Sequence, residues 1–412
     1  MDLIQVRFEN ILSLVASPHI EPLTKEKLAD QFPDVFQGTG KLSEPHHLQI
    51  DPSAKPMVHP PRKAPLALKT ALKEELDRLE SLQILTPVSE PTLWVSSMVI
   101  VKKPNGNIRV CLDPKDLNKV LKRSHYRMPT IDDILPELSR AKVFSVFDVK
   151  NGFWHVELNE ESSKLTCFNT PFGRYRWLRM PFGLAPAPEE FQRRQHQVLE
   201  GLPGVLTIHD DILLYGEGDT YEEASRDHDA KLHKLMMRRR EQNVKLNKDK
   251  MKLRLEQVPY IGHLLTSQGL KPDPEKVKAI IEMPKPKDVA GVRRFIGFVN
   301  YLSKFMPRLC EVCEPLRRLT MKDVEWHWTE HQEQAFNKLK QLVTEAPVLK
   351  YFEPKEELTL QSDASDTVLG AVLTQNGQPI AFASRALSDA ETRYAQIEKE
   401  LLTVVFGLEK FH

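Results

Sequence analysis

Leu206-Thr207-Ile208-His209-Asp210-Asp211-Ile212-Leu213-Leu214-Tyr215 sets two adjacent acids between two apolar runs. Short apolar runs around a polar turn read as paired strands, which puts Asp210 and Asp211 at a hairpin tip. Carboxylates gathered there can converge on a hard cation, because Mg²⁺ takes oxygen ligands. A second acidic pair, Asp132-Asp133, follows Pro129-Thr130 and reads as first-turn charge of a helix. Asp210-Asp211 has no helix to cap. Upstream, Val143-Phe144-Ser145-Val146-Phe147 reads as a buried strand closed by Asp148. An Asp there also suits a plain turn. If that strand neighbours the hairpin, three carboxylates gather, enough for two metals about 3.5–4 Å apart and in-line displacement at a phosphate.

Around this centre the chain alternates signals. Residues 1 to about 45 are weakly patterned, and 46–65 are proline-rich and expected to be extended. Leu66 to Leu82 predicts a helix with the stripe Leu68, Leu72, Leu76, Leu79. Trp94 to Val101 and Ile108 to Leu112 flank Pro104-Asn105-Gly106-Asn107, a hairpin signal. Helices are expected from Ile131, over 189–199 and over 222–243. A further hairpin is expected over 258–270, mostly helix over 274–350, and a β-rich unit from Leu358. No internal repeat or low-complexity tract interrupts the chain.

With 412 residues the chain is too long for one compact core. Its 41% hydrophobic and 28% charged residues exclude a disordered or membrane-embedded class. The longest apolar stretch, Leu401 to Leu408, is too short to span a bilayer, and Met1-Asp2-Leu3-Ile4 does not open a secretory signal. Four cysteines argue against a disulfide scaffold and for an intracellular, reducing location. Net charge is +1, so any nucleic-acid affinity must be local; 231–254 carries ten Lys or Arg against Glu241 and Asp249. Such a run is either a solvated helix face or phosphate-contacting ground. Cys310-x₂-Cys313-x₁₃-His327-x₃-His331 has zinc-finger spacing, but Pro315 and the helical pattern through Leu319 read it as coincidence.

Five ordered boxes carry a family resemblance. They are Phe147-Asp148-Val149-Lys150-Asn151-Gly152-Phe153, then Phe172-Gly173-Arg174-Tyr175, then Met180-Pro181-Phe182-Gly183-Leu184-Ala185-Pro186-Ala187-Pro188, then Asp210-Asp211-Ile212-Leu213, then Tyr260-Ile261-Gly262-His263. In this order and spacing the chain resembles the reverse transcriptases of gypsy-class long-terminal-repeat retrotransposons, from near Lys25 to the last residue. The resemblance implies a multidomain α+β and α/β protein: a right-hand polymerase of fingers, palm and thumb/connection, with a truncated RNase H-like α/β unit. The expected divisions are 1–49, a linker after a lost protease region; 50–265, fingers and palm; 266–352, thumb/connection; and 353–412, partial RNase H-like domain.

By the same resemblance, Asp148, Asp210 and Asp211 would hold two Mg²⁺ ions, with Mn²⁺ as an alternative, for nucleotidyl transfer to a primer 3′-hydroxyl. Arg109 and Lys102 or Lys103 look like fingers residues that close on a deoxynucleoside triphosphate; Arg suits phosphate through its planar fork. Phe153 resembles the aromatic gate against a 2′-hydroxyl, and Phe182 and Gly183 the lining of the nucleotide site. Tyr260, Ile261 and Gly262 match the primer grip. Asp363 and Glu400 match two acids of an incomplete RNase H-like metal site; further acids of that site are absent, so no RNA cleavage by the chain alone is expected. The implied partners are an RNA or DNA template with primer, deoxynucleoside triphosphates, and self-association or a polyprotein, with no membrane, in the cytoplasm or a retroelement particle. One departure stands out: relatives mostly carry Tyr two residues before the first hairpin acid, where this chain has Ile208. Against an active polymerase stands a non-catalytic remnant that binds nucleic acid, or RNase H activity only within a longer polyprotein; intact acids favour the polymerase.

Overall fold

The computed structural model describes residues 24–103, 106–322 and 324–412. Its centre is an antiparallel four-stranded sheet in the order Val205–Ile208, Asp211–Glu217, Ala141–Asp148, Lys252–Leu255. Nearly unbroken apolar strands are what burial on both faces requires. Phe147, Ile212 and Leu214 join the core under the helices Ala187–Leu199 and Tyr221–Glu241, while Phe144, Val146, Leu213 and Tyr215 join a second core on the opposite face. One polar side chain interrupts the central strand. Ser145 bonds His228 Nε2 at 2.7 Å, and His228 Nδ1 meets Asp229 Oδ1 at 2.9 Å. Ser145 and His228 are fully buried, so this Ser–His–Asp array braces strand to helix and offers no nucleophile to solvent.

The finger-side elements stack on the first core. Helix Lys69–Ser81 buries Leu72, Leu76 and Leu79 completely, with Leu68 half-buried at its entrance. Strands Ser97–Lys102 and Ile108–Asp113 pair from Ser97↔Asp113 to Lys102↔Ile108, as the hairpin signal required. A small sheet orders Leu85–Pro87, Gly173–Trp177 and Phe168–Thr170. The helix expected from Ile131 is opened by a Thr130–Asp133 capping box but lasts only Ile131–Ile134 before Pro136 redirects it into a 3₁₀ turn.

The rear core runs from the central sheet through the meander Gln257–Tyr260, His263–Thr266, Gly269–Pro272 into helices Pro274–Ile281, Val289–Tyr301, Leu309–Arg318 and Glu330–Thr344. Beyond it, Thr359–Ala364, Val368–Gln375 and Gln378–Ala386 form an antiparallel sheet backed by helix Gln396–Phe411. Asn376 and Gly377, both at positive φ, make its turn. The helix leaves Ile397, Leu401 and Leu408 exposed. No helix among the described residues is long and apolar enough to cross a membrane.

Two expected divisions need correction. A boundary between 265 and 266 would cut through the meander, which is one sheet. Residues 24–49, expected as a linker, fold into helices Lys25–Gln31 and Pro33–Phe36; residues 1–23 lie outside the described residues. Leu28, Phe32, Val35, Phe36, Leu42 and Leu48 are buried in the same core as Phe147 and Ile212. Phe32 also meets the Arg240 guanidinium, 4.7 Å from its ring centroid. Phe32→Ala is therefore expected to lower unfolding free energy by about 3 kcal/mol in chemical denaturation, the usual range for a buried Phe. An unchanged midpoint would restore the linker description.

Candidate active site

Register builds the site. Asp148, last in the central strand, lies opposite Asp211, and Asp211 lies opposite Ile208 across the hairpin. His209 takes φ 57° at the tip, where its N–H donates to Gln192 Oε1 at 2.7 Å. Gln192 is fully buried on helix Ala187–Leu199, and its amide also donates to Thr207 O at 3.1 Å. The Val149 N–H donates to Asp210 O at 3.1 Å, which ties the hairpin tip to the end of the central strand. Gly152 crosses directly beneath: a Cβ there would stand 2.8 Å from Phe191 Cζ and 2.9 Å from Asp210 Oδ1. Tyr260 is buried, and its hydroxyl donates to Asp211 O at 2.9 Å.

The three acids crowd one another. The Asp210 carboxyl is pushed up to about 6, first by burial and then by Asp148 and Asp211, with Lys250 and Arg109 partly opposing. Asp211 is raised by burial and by Asp148. Lys250 Nζ stands 2.8 Å from Asp148 Oδ2, so Asp148 turns toward this ammonium. Among the described residues no three His, Cys, Asp or Glu side chains already converge as a ligand set. The donors are nonetheless all carboxylate oxygens, the type hard divalent cations take.

On the finger side, the Arg109 guanidinium lies 4.5 Å from the Phe182 centroid. Phe182 meets Phe153 at 5.0 Å, and Phe153 meets Phe191 at 5.8 Å. Lys102 ends its strand and Lys103 follows it into the turn, its N–H donating to Asn107 O at 2.8 Å. Lys103 feels Arg109 and lines a cleft with Asn107 and Asn151, whereas Lys102 is exposed; Lys103 is thus the lysine beside Arg109. Gly183, at φ 111°, passes so close to Leu112 O that a side chain would collide. Asn118 clasps this crossing, donating to Gly183 O and accepting from Ala185 N–H, both at 2.9 Å.

The remaining residues singled out in the sequence lie away from the three acids or behind them. Tyr260 faces the acid hairpin from inside rather than an open groove, while Ile261 and Gly262 form the positive-φ turn beside it. The Ile261 carbonyl accepts from Tyr301 Oη at 3.2 Å. Much of the basic run is spent internally: Lys231 pairs with Asp227, Arg238 holds Val198 O and Glu200 O, Arg240 pairs with Asp34, and Arg254 with Asp229. Asp363 lines a cleft with Pro307, Arg308 and Glu311, while Glu400 accepts from Gln396 Nε2 at 2.9 Å on its own helix. No described contact joins these two acids. Cys313 is buried in the rear core, Cys310 Sγ donates to Ser384 O at 3.2 Å, and His327 sits exposed beside Glu325. Sequence reading missed Gln192, Gly152 and Lys250 as site residues. Lys250 lay inside the basic run, but charge alone could not single it out.

Residues 101–265 match the family described as reverse transcriptase (RNA-dependent DNA polymerase), and 328–412 match the RNase H-like domain found in reverse transcriptase. The chain is 36% identical over 334 residues to the retrovirus-related Pol polyprotein from transposon 297 of Drosophila melanogaster, across 79% of this chain and 30% of that protein. Residues 101–265 thus carry a reverse transcriptase domain and residues 328–412 an RNase H-like domain of the reverse transcriptase kind, and the chain's relatives are retrotransposon Pol polyproteins. The chain spans less than a third of the length of such curated relatives. Its fold is that of foamy viral protease–reverse transcriptase. It matches the form in complex with double-stranded DNA at TM-score 0.85 and 23% identity, over 93% of this chain and 68% of that one. It matches the form in complex with an RNA/DNA hybrid at TM-score 0.81 and 23% identity, over 93% of this chain and 52% of that one. The mixed helix-and-sheet architecture expected from the sequence is thereby established.

In this reverse transcriptase domain the raised Asp210 makes stability depend on pH. Its folded value lies above the ordinary carboxylate range, so between roughly pH 4 and 6 the native state holds more protons than the unfolded one. Stability is therefore lost as pH rises through that window. In metal-free buffer, Asp210→Asn is expected to stabilise the protein at pH 7 by about 1–2 kcal/mol and to flatten the decline. Urea titrations at pH 4 and 7 read this; a less stable Asn variant at pH 7 would refute it.

Proposed function

We propose that this chain is an RNA-directed DNA polymerase of the gypsy class, extending a primer on an RNA or DNA template. The carrying observation is the register pairing that sets Asp148 against Asp211 beside Asp210, with Lys103 next to Arg109 and Arg109 over Phe182, which meets Phe153. Crowded carboxylates held by a rigid sheet are an all-oxygen donor set short of positive charge, which fits two Mg²⁺ or Mn²⁺ ions. When bound, the ions supply the charge that activates the primer 3′-hydroxyl and offsets the triphosphate. The chain's own residues do the rest. Arg109 and Lys103 meet phosphate oxygens of the incoming nucleotide, Arg109 being held against Phe182. Phe153, backed by Phe182 and Phe191, stands where a 2′-hydroxyl would have to fit. Tyr260 steadies the hairpin from below through Asp211 O. Ile208, buried and without a hydroxyl, leaves that support to Tyr260. The related solved structures in complex with double-stranded DNA and an RNA/DNA hybrid support a duplex at this site. Four free thiols fit a reducing interior, cytoplasm or retroelement particle.

Primer extension on an RNA template with Mg²⁺ tests this reading. Wild-type extension should fall at least about 100-fold in Asp210→Asn, a loss on the scale of removing a metal ligand or its support. No extension by a folded, template-binding wild type would favour a non-catalytic remnant. Phe153→Val should preserve deoxynucleotide addition and raise ribonucleotide incorporation; unchanged discrimination would remove Phe153 from the gate. For the RNase H-like unit, whose Asp363 and Glu400 make no common contact, Mg²⁺-dependent hydrolysis of an RNA–DNA hybrid by the chain should be undetectable, and its appearance would overturn that.

A further inference from the structure

Helix Tyr221–Glu241 buries Leu232, Leu235 and Met236 in the main core, and the next position of that stripe is Arg239. The spacing i, i+3, i+4, i+7 is that of one helix face, so a guanidinium stands where an apolar residue belongs. Arg239 is completely buried. Its Nη1 donates to Gln195 Oε1 at 2.7 Å, but its Nε and Nη2 have no acceptor, and neither has Gln195 Nε2. Nε and Nη2 open along one edge of the guanidinium, and Nη1 holds Gln195 from the other.

No neighbour supplies negative charge. The one charged group acting on Arg239 is Arg238, of like sign. From the turn Gly152–His155 the facing group is His155, kept neutral at about 4 chiefly by burial, with Arg239 and Arg179 adding to the effect. His155 is already engaged, its Nδ1 with Gly152 O at 3.1 Å and its Nε2 with Lys245 N–H at 3.0 Å. Arg179, on the far side of His155, takes Gly40 O and Trp154 O and pairs with Glu157. A guanidinium cannot escape burial by shedding its proton, and an unpaired buried charge is strongly unfavourable.

We propose that Arg239 forms a buried site for a small monovalent inorganic anion of the chloride class, bound by its Nε and Nη2 while Gln195 holds Nη1 in place. Single charge matches the single uncompensated cation. Small size follows from the packed stripe around it, since Leu235 and Met236 are fully buried. Arg239 acts on His155, which ends the turn that carries Gly152 against Asp210.

The test compares thermal unfolding of the full chain in potassium chloride and potassium gluconate at equal ionic strength. Wild type should melt about 1 °C higher in chloride, the shift expected for roughly 1 kcal/mol when unfolding entropy is about 2 cal/mol/K per residue over a chain of this length. Arg239→Leu, which completes an apolar stripe, should lose the difference, and Gln195→Leu should reduce it, giving a second readout if the first variant misfolds. Crystals soaked in bromide should show anomalous density beside Nε and Nη2 of Arg239. Equal melting of the wild type in both salts without such density would overturn the site. So would a chloride effect that persists in Arg239→Leu, which would mark a general salt effect.

Discussion

The antiparallel pairing of Ala141–Asp148 with Asp211–Glu217 is the constraint on which the rest of the molecule depends. Both strands are buried on both faces, so their alternation is fixed twice, once by each core. A slip by one residue would exchange every inward side chain for its neighbour and move Asp148 away from Asp211. The hydrophobic effect therefore sets carboxylate geometry: Phe147 and Ile212 on one side, Phe144 and Leu213 on the other, leave the strand end as the place where charge can emerge. Three acids can be held together, against mutual repulsion, because the sheet beneath them has no other stable register.

Much of this was legible in the sequence, because period and punctuation carried it. The apolar runs around Asp210-Asp211, the strand closed by Asp148 and the 97–113 hairpin all appear where their patterns require. Three kinds of fact were hidden. Side-chain placement was hidden: Lys102 and Lys103 are adjacent, and only the realised hairpin puts Lys103 beside Arg109. Long-range packing was hidden: Phe32, Val35 and Phe36 sit in short helices with little period of their own, and only contact with the main core gives them a role. Polar bracing was hidden as well, since no local rule marks Gln192 as the acceptor for the His209 N–H across 17 residues.

Tyr260 and Ile208 illustrate how one structural need can be met from two places. The hairpin has its acids on one side and the rear core on the other. Ile208 fills the rear core with carbon, and the polar support to the hairpin backbone comes from the Tyr260 hydroxyl on the neighbouring meander. A motif comparison restricted to the hairpin sees a missing tyrosine; the packed sheet contains one in reach. The same meander joins the central sheet to the helices that follow, so movement of those helices would be transmitted to Asp211 O through a single side chain.

The charge balance sets where a polyanion can be met. Lys and Arg number 58 against 57 Asp and Glu, and the densest basic run turns inward to Asp34, Asp227, Asp229 and backbone carbonyls. Those pairings order helix Tyr221–Glu241 against its neighbours and are not free for phosphate. The positive charge left near the acids is sparse and specific: Arg109 on its aromatic support, Lys103 in the cleft, and Lys250 across from Asp148. Arg109 and Lys250 act on the hairpin acids, and Lys103 stands beside Arg109, so positive charge is focused where the carboxylates are. In a molecule of nearly neutral net charge, that focusing does locally what a broad basic surface does elsewhere: it sets positive potential at the strand ends rather than along the whole protein.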